Sequence, residues 1–360
     1  MKNTLKYYIK NRLNIILILS LFVFLIVFVS LFKAEFVYRY SYYDEMDKLV
    51  YNISIQNSPL PLLATITSVL STFVVVFEFY FKMRKVNVDQ IYALPIKREK
   101  IFLSKLIICV LEVIVPMTVG FIVSYLMIFN KDHLFNLIYF IPYYFGMVFL
   151  ALILIVSFAF IYTRGNTFFD GIINMVAYSF MLVIVVSLIT ETFDISYRNF
   201  GNATSFFIYS PISIFSSWMN DLFSGRDYVF KLSSILSYSI YISFGLLSFY
   251  LFIVLNKKEP SENSTQISES EFSYKTIIPA LSIPFSAISI LSGGFLALAF
   301  SSIFTYLAFV LYRRSFKLTK KEYVFIAIYI TIGIIVGVCC KEISDVFNEV
   351  YIEEIFHLLI

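Results

Sequence analysis

A helical bundle of about nine membrane spans is the fold the sequence predicts, and three observations predict it. Apolar residues make up 59% of the 360-residue chain and charged residues 14%, about half the charge of an ordinary soluble domain. The apolar residues gather into runs long enough to cross a hydrocarbon core about 30 Å thick at about 1.5 Å per residue. Basic residues collect in alternate connections between those runs, as polytopic membrane proteins require.

The runs cover 13–32, 60–81, 101–129, 137–161, 171–189, 232–255, 276–312 and 323–340. The run 276–312 is too long for one upright helix, and Ser292, Gly293 and Gly294 interrupt it, so it divides into two spans joined by a tight turn. Lys2, Lys6, Lys10 and Arg12 before the first run resemble the start of a signal peptide. That run is long for a cleaved segment and no small-residue cleavage site follows, so it is expected to remain as the first span. Cys109, Cys339 and Cys340 all fall in apolar runs and imply no disulfide framework.

With a cytoplasmic N-terminus, the inner segments are 1–12, 82–105, 162–170, 256–275 and 313–321, and they hold 20 of the 28 Lys and Arg residues. The positive-inside rule favours that orientation. Acidic residues gather in the first outer loop, at Glu35, Asp44, Glu45 and Asp47, and after the last run, at Glu342, Asp345, Glu349, Glu353 and Glu354. The net charge of +4 then fits anchoring of lysine and arginine against anionic membrane lipids, and no nucleic-acid partner is needed to explain it.

Two longer breaks interrupt the first six spans. One is the Tyr-rich outer loop 33–59; the other is 191–231, whose "SPISIFSSW" (210–218) is apolar but too short to span, as an interfacial or re-entrant piece would be. The polar stretch "NKKEPSENSTQISESEFSYK" (256–275) cannot bury a core and reads as a cytoplasmic linker. The chain therefore divides into a six-span module (1–256), a linker (257–275) and a three-span extension with an acidic outer tail (276–360).

No catalytic constellation is present. His133 and His357 are far apart with no zinc-binding spacing, and there is no phosphate-binding G-x-x-x-x-G-K-[ST] loop. Ser104 and Lys105 are adjacent, and adjacent helical residues do not face each other. No catalytic residue, metal site or cofactor is expected in this chain. The better leads are two carboxylates inside spans, where an ionised group is costly and is usually paired or functional. Glu78 lies one turn before Lys82, which suits an i,i+4 pair anchoring a helix end. Glu112 has no cation at helical spacing, so it needs a partner on another helix or a polar cavity; structural pairing and a conduction role both stay open. Pro116, one turn later, loosens the backbone and can supply a kink.

Between the second and third runs lies "VDQIYALPIKREKIFLSKL" (88–106). Val88, Ile91, Tyr92 and Leu94 approximate one apolar helical face, with Asp89 and Gln90 opposite. Pro95 ends that helix, because the residue before a proline is pushed out of the α region. Lys97, Arg98, Lys100 and Lys105 rim it. A short surface helix of this kind either anchors on anionic lipid or docks a cytoplasmic partner.

"LPIKREKIFLSKL" (94–106) resembles the segment between spans two and three of type-2 ATP-binding-cassette (ABC) exporter permeases, where a pattern near L-P-[IVL]-[ST]-[RK]-x-x-[IL]-x-x-[SA]-K-[LIF] recurs. "TRGNTFFDGIIN" (163–174) is similar to that family's inner loop between spans four and five, and "YSPISIF" (209–215) to its outer segment before span six. The likeness covers roughly 1–256. Lys97 departs from it, standing where the pattern often has Ser or Thr, which removes a capping hydroxyl and adds charge. The extension resembles a longer Gram-positive subfamily through "RRSFKL" (313–318) and "VYIEEI" (350–355).

The resemblance implies the permease subunit of an exporter in a bacterial cytoplasmic membrane. Its coupling helix would contact a separate ATPase through Asp89, Gln90, Ile91, Tyr92, Leu94, Pro95, Lys97 and Arg98. ATP and Mg would bind on that ATPase, and a second permease, identical or related, would complete the pathway. The Phe- and Tyr-rich spans suit an amphipathic or lipid-like substrate. Two other classes stand beside this one: a non-transporting scaffold or sensor, and an intramembrane lipid enzyme, which the absence of paired acid-base groups disfavours. An adjacent ATPase gene distinguishes the exporter from both.

Overall fold

Helices dominate because lipid offers no partner for backbone N–H and C=O groups, so each segment must satisfy its own. The computed structural model of the chain describes residues 2–31, 35–41, 50–56, 59–93, 96–131, 137–192, 232–258, 266, 270–291 and 295–359. Its helices are α1 (Lys2–Leu31), α2 (Pro59–Phe79) running into a 3₁₀ turn (Tyr80–Met83), α3 (Lys85–Tyr92), α4 (Arg98–Lys131), α5 (Leu137–Thr163), α6 (Phe168–Thr192), α7 (Leu232–Lys258), α8 (Tyr274–Leu291), α9 (Phe295–Arg313) and α10 (Lys320–Leu359).

Among the described residues, eight of these helices are long and apolar enough to cross a membrane: α1, α2, α4, α5, α6, α8, α9 and α10. The chain is thus a multi-pass, membrane-embedded helical protein. The apolar run 276–312 does divide into two helices, α8 and α9. In α7, at the sixth run, the described apolar stretch is shorter, Tyr241–Lys257. The short piece 210–218, His133 and the turn residues Ser292, Gly293 and Gly294 lie outside the described residues.

One element was not anticipated. Within the Tyr-rich loop, β1 (Glu35–Ser41) pairs antiparallel with β2 (Val50–Gln56), in a register that sets Glu35 opposite Gln56 and Ser41 opposite Val50.

Contacts divide the chain into two units, one centred on Met1–Thr163 and Tyr238–Ser264, the other on Arg164–Ser210 and Thr265–Ile360. Helix α6, placed in the six-span module by the sequence, thus groups with the extension. In the first unit, Val23 and Val27 of α1, Leu63 and Ala64 of α2, Met117 and Phe121 of α4, and Met147 and Ala151 of α5 form a fully enclosed core. Nearer the other end of α2, Phe79 stacks on Phe102 of α4 with centroids 6.1 Å apart, and Phe252 of α7 sits edge-on to both. Hydroxyls inside α2 bond to carbonyls one turn back, as Thr67 does to Leu63 at 2.7 Å and Ser71 to Thr67 at 2.7 Å, so they carry no unsatisfied polarity into lipid. Helix α4 runs unbroken through Pro116.

In the second unit, Tyr274 and Ile278 of α8 pack with Phe309 of α9, joined by Ile173 of α6 and by Ile326 and Tyr329 of α10. Lipid supplies no hydrophobic drive between helices, so close backbone approach must hold them together. Gly333 and Gly337 of α10, a small-xxx-small pair, provide it. A Cβ at Gly333 would lie 2.5 Å from Ser286 Cβ, and one at Gly337 would lie 2.8 Å from the Ala287 carbonyl oxygen. Ser286 and Ser301 add a hydrogen bond of 3.1 Å between α8 and α9.

Candidate functional site

In the first unit, charged residues of α1, α2 and α4 meet in one cluster. Glu78 near the end of α2 is 1% exposed and Glu112 of α4 is 3% exposed, so each carboxylate needs a counter-charge. Lys105 of α4 donates to Glu78 Oε2 at 2.7 Å. Arg12 of α1 brings a guanidinium nitrogen 2.5 Å from Glu78 Oε1 and its Nε 4.0 Å from Glu112 Oε1. Lys105 also lies 4.7 Å from the centre of the Tyr8 ring, a cation–π contact that offsets part of its desolvation. Two carboxylates thus share two cations.

Glu78 therefore draws its cations from α1 and α4, across the bundle, rather than from the one-turn pairing the sequence suggested. The Lys82 ammonium donates to the carbonyl of Thr163, the last residue of α5, where a cation suits the helix C-terminus. Glu112 does find its cation on another helix, but at 4.0 Å, and its Oε1 has no hydrogen-bond partner. The carbonyl of Glu112 is also the one that Pro116, four residues on, cannot serve with an N–H.

The cluster places the N-terminal end of α1, the C-terminal end of α2 and the N-terminal end of α4 together. The basic segments 1–12 and 82–105 consequently share one side.

Helix α3 joins α2 to α4 at that end. It is only two turns long and amphipathic: Val88 is buried, Ile91 and Tyr92 are half-buried, and Asp89 and Gln90 are exposed. Ala93 closes it with its N–H on the Asp89 carbonyl. Arg84 ahead of it donates to Tyr80 Oη at 2.9 Å and lies over that ring. Arg98 lies 4.4 Å above the centre of the Tyr92 ring, which ties the end of α3 to the start of α4. Leu94 and Pro95 lie outside the described residues. Lys97 is exposed and holds the N-cap position of α4, its carbonyl accepting from Lys100 N–H at 2.9 Å. A lysine there has no hydroxyl to cap the first turn.

Arg12 and Lys105 were legible only as basic residues; what brings them to Glu78 is tertiary packing. The nearest sequence signal was that Arg12 directly precedes the first apolar run and Lys105 lies near the start of the run that carries Glu112. No family model, curated protein or solved structure matches this chain.

Proposed function

We propose that the chain is the membrane-spanning subunit of a bacterial ABC exporter, with its N-terminus in the cytoplasm and α3 as the coupling helix that receives a separate ATPase. The observation that carries this reading is α3 itself, a two-turn amphipathic helix between two spanning helices that presents Asp89 and Gln90 outward, with Lys97 exposed ahead of α4. A helix serving only as a lipid anchor would turn its apolar side outward; here Val88 faces inward at 2% exposed and Ile91 and Tyr92 are half-buried, Val86 being the apolar side chain that α3 exposes.

The charge cluster supplies a route for force. Because Arg12, Glu78 and Lys105 bind α1, α2 and α4 at the end where α3 is attached, a push on α3 moves three spanning helices as one body. ATP and Mg belong to the partner, and a second permease, identical or related, completes the pathway. An amphipathic or lipid-like substrate suits walls this rich in Phe and Tyr.

Co-expression with a candidate ATPase, sought first among the adjacent genes, tests the assignment. The ATPase is expected to copurify with the wild type, and to be lost when Lys97 and Arg98 are reversed in charge together with Tyr92→Ala and Leu94→Ala. Unchanged copurification and unchanged ATPase stimulation in that variant would remove the coupling role.

A further inference from the structure

The loop between α9 and α10 carries five cations and no acid in "YRRSFKLTKK" (312–321), and the fold sorts them into two groups. Arg313 and Arg314 are spent internally. Arg313 pairs with Glu322 at the start of α10. Arg314 donates to Asp170 Oδ2 at 3.1 Å and to Thr167 Oγ1 at 3.3 Å, at the start of α6, where Tyr274 Oη donates to the other Asp170 oxygen at 2.9 Å. Lys317, Lys320 and Lys321 are all exposed.

The backbone shows that this arrangement is imposed. Arg314 has φ 54°, in the left-handed region that a residue with a Cβ adopts at a cost. It closes α9 as the left-handed residue of a Schellman cap, with Ser315 N–H on the Val310 carbonyl and Arg314 N–H on the Leu311 carbonyl, each at 3.3 Å. Glycine is the usual occupant of that position. An arginine there is explained by its side chain, which reaches Asp170 and Thr167. Tyr306 Oη then holds the Phe316 carbonyl at 3.1 Å, and Leu318 packs against the core of the unit.

What the pinned loop presents is apolar as well as basic. Phe316 is 76% exposed and Phe169 is 73% exposed. Each lies two residues from the Arg314–Thr167 hydrogen bond, Phe316 beyond Arg314 and Phe169 beyond Thr167. These residues stand at the ends of α6, α9 and α10, where three apolar helices leave the hydrocarbon. Exposed aromatic rings beside exposed lysines at that depth match a headgroup layer carrying negative charge, with rings entering the acyl boundary and ammonium groups meeting phosphate.

We infer that Phe169, Phe316, Lys317, Lys320 and Lys321 form a preorganised surface for anionic phospholipid, held in shape by the Arg314–Asp170 contact. This stands apart from the transport reading and needs no ATPase.

The test titrates the full-length protein in neutral detergent with phosphatidylglycerol, using phosphatidylcholine as control, and follows thermal stability. Phosphatidylglycerol is expected to stabilise the wild type where phosphatidylcholine does not, and the effect should fade at high salt. Lys317→Gln with Lys320→Gln and Lys321→Gln should raise the lipid concentration at half-effect about a hundredfold, each lysine near an anionic surface being worth about fivefold. Phe316→Ser should raise it with all charges kept, and Asp170→Asn should raise it with every surface residue intact. The matching triple Lys10→Gln, Lys85→Gln and Lys100→Gln, equal in charge change, should leave it near wild type. An equal loss in both triples would show general charge screening and overturn the assignment, as would an unchanged midpoint in the first triple. Loss of a bound protein partner with no change in the lipid response would overturn it too.

Discussion

Glu78→Gln is expected to cost about 3–5 kcal/mol of stability, because it leaves Lys105 without its carboxylate and Arg12 with only the distant Glu112. The buried pair is no evidence of large net stabilisation, since desolvating the charges offsets most of their attraction; the penalty comes from stranding the partners. Glu112→Gln should cost less, because Glu112 meets Arg12 only at 4.0 Å and Arg12 keeps its 2.5 Å contact with Glu78. The ordering can be read as the fraction of monodisperse protein left after heating in detergent. The exchange Glu78→Lys with Lys105→Glu should recover part of the loss. Equal losses for Glu78→Gln and Glu112→Gln would mean that the cluster does not divide as its geometry indicates.

The second large effect is expected at Gly165, where the chain turns back over the first turn of α6. A Cβ there would lie 2.4 Å from Gly171 N and 2.7 Å from Gly171 Cα. Both are backbone atoms, so no side chain can rotate away, and the loop must shift. Gly165→Ala should therefore cost about 3 kcal/mol or more, at the upper end of overpacking effects, and should disturb the neighbouring Asp170 contacts. Gly245→Ala is the control: its Cβ would meet only the Ile153 side chain, at 2.7 Å, and should cost less. If thermal unfolding finds Gly165→Ala as stable as wild type, the loop is not packed as described.

The spans were legible because lipid imposes a one-dimensional rule, about 20 apolar residues in a row, that needs no knowledge of the partners. The short helix α3 was legible too, since Val88, Ile91 and Tyr92 carry the helical period and Pro95 marks the stop. The hairpin was not legible although "EFVYRYS" and "VYNISIQ" are rich in aromatic and β-branched residues, because a Tyr-rich outer loop at the membrane interface has the same composition. Local spacing also suggested Lys82 for Glu78, whereas the cations on its oxygens come from positions 12 and 105. Such contacts depend on which helix faces are apposed, and helical periodicity in one segment cannot report that. The grouping of α6 with the extension rests likewise on Tyr274, Ser273 and Arg314 reaching Asp170 and Asn174, residues about a hundred or more positions further along the chain, two of them at the end of the polar stretch 256–275.

The most direct test of the proposed coupling role places a photocrosslinking amino acid at Gln90, exposed on α3, and at Val88, buried on the same helix. In membranes holding the co-expressed ATPase, Gln90 is expected to give an adduct containing both subunits, strengthened when hydrolysis is trapped, and Val88 to give none. A complex that forms but yields no adduct from Gln90, or equal adducts from both positions, would contradict α3 as the surface that receives the ATPase.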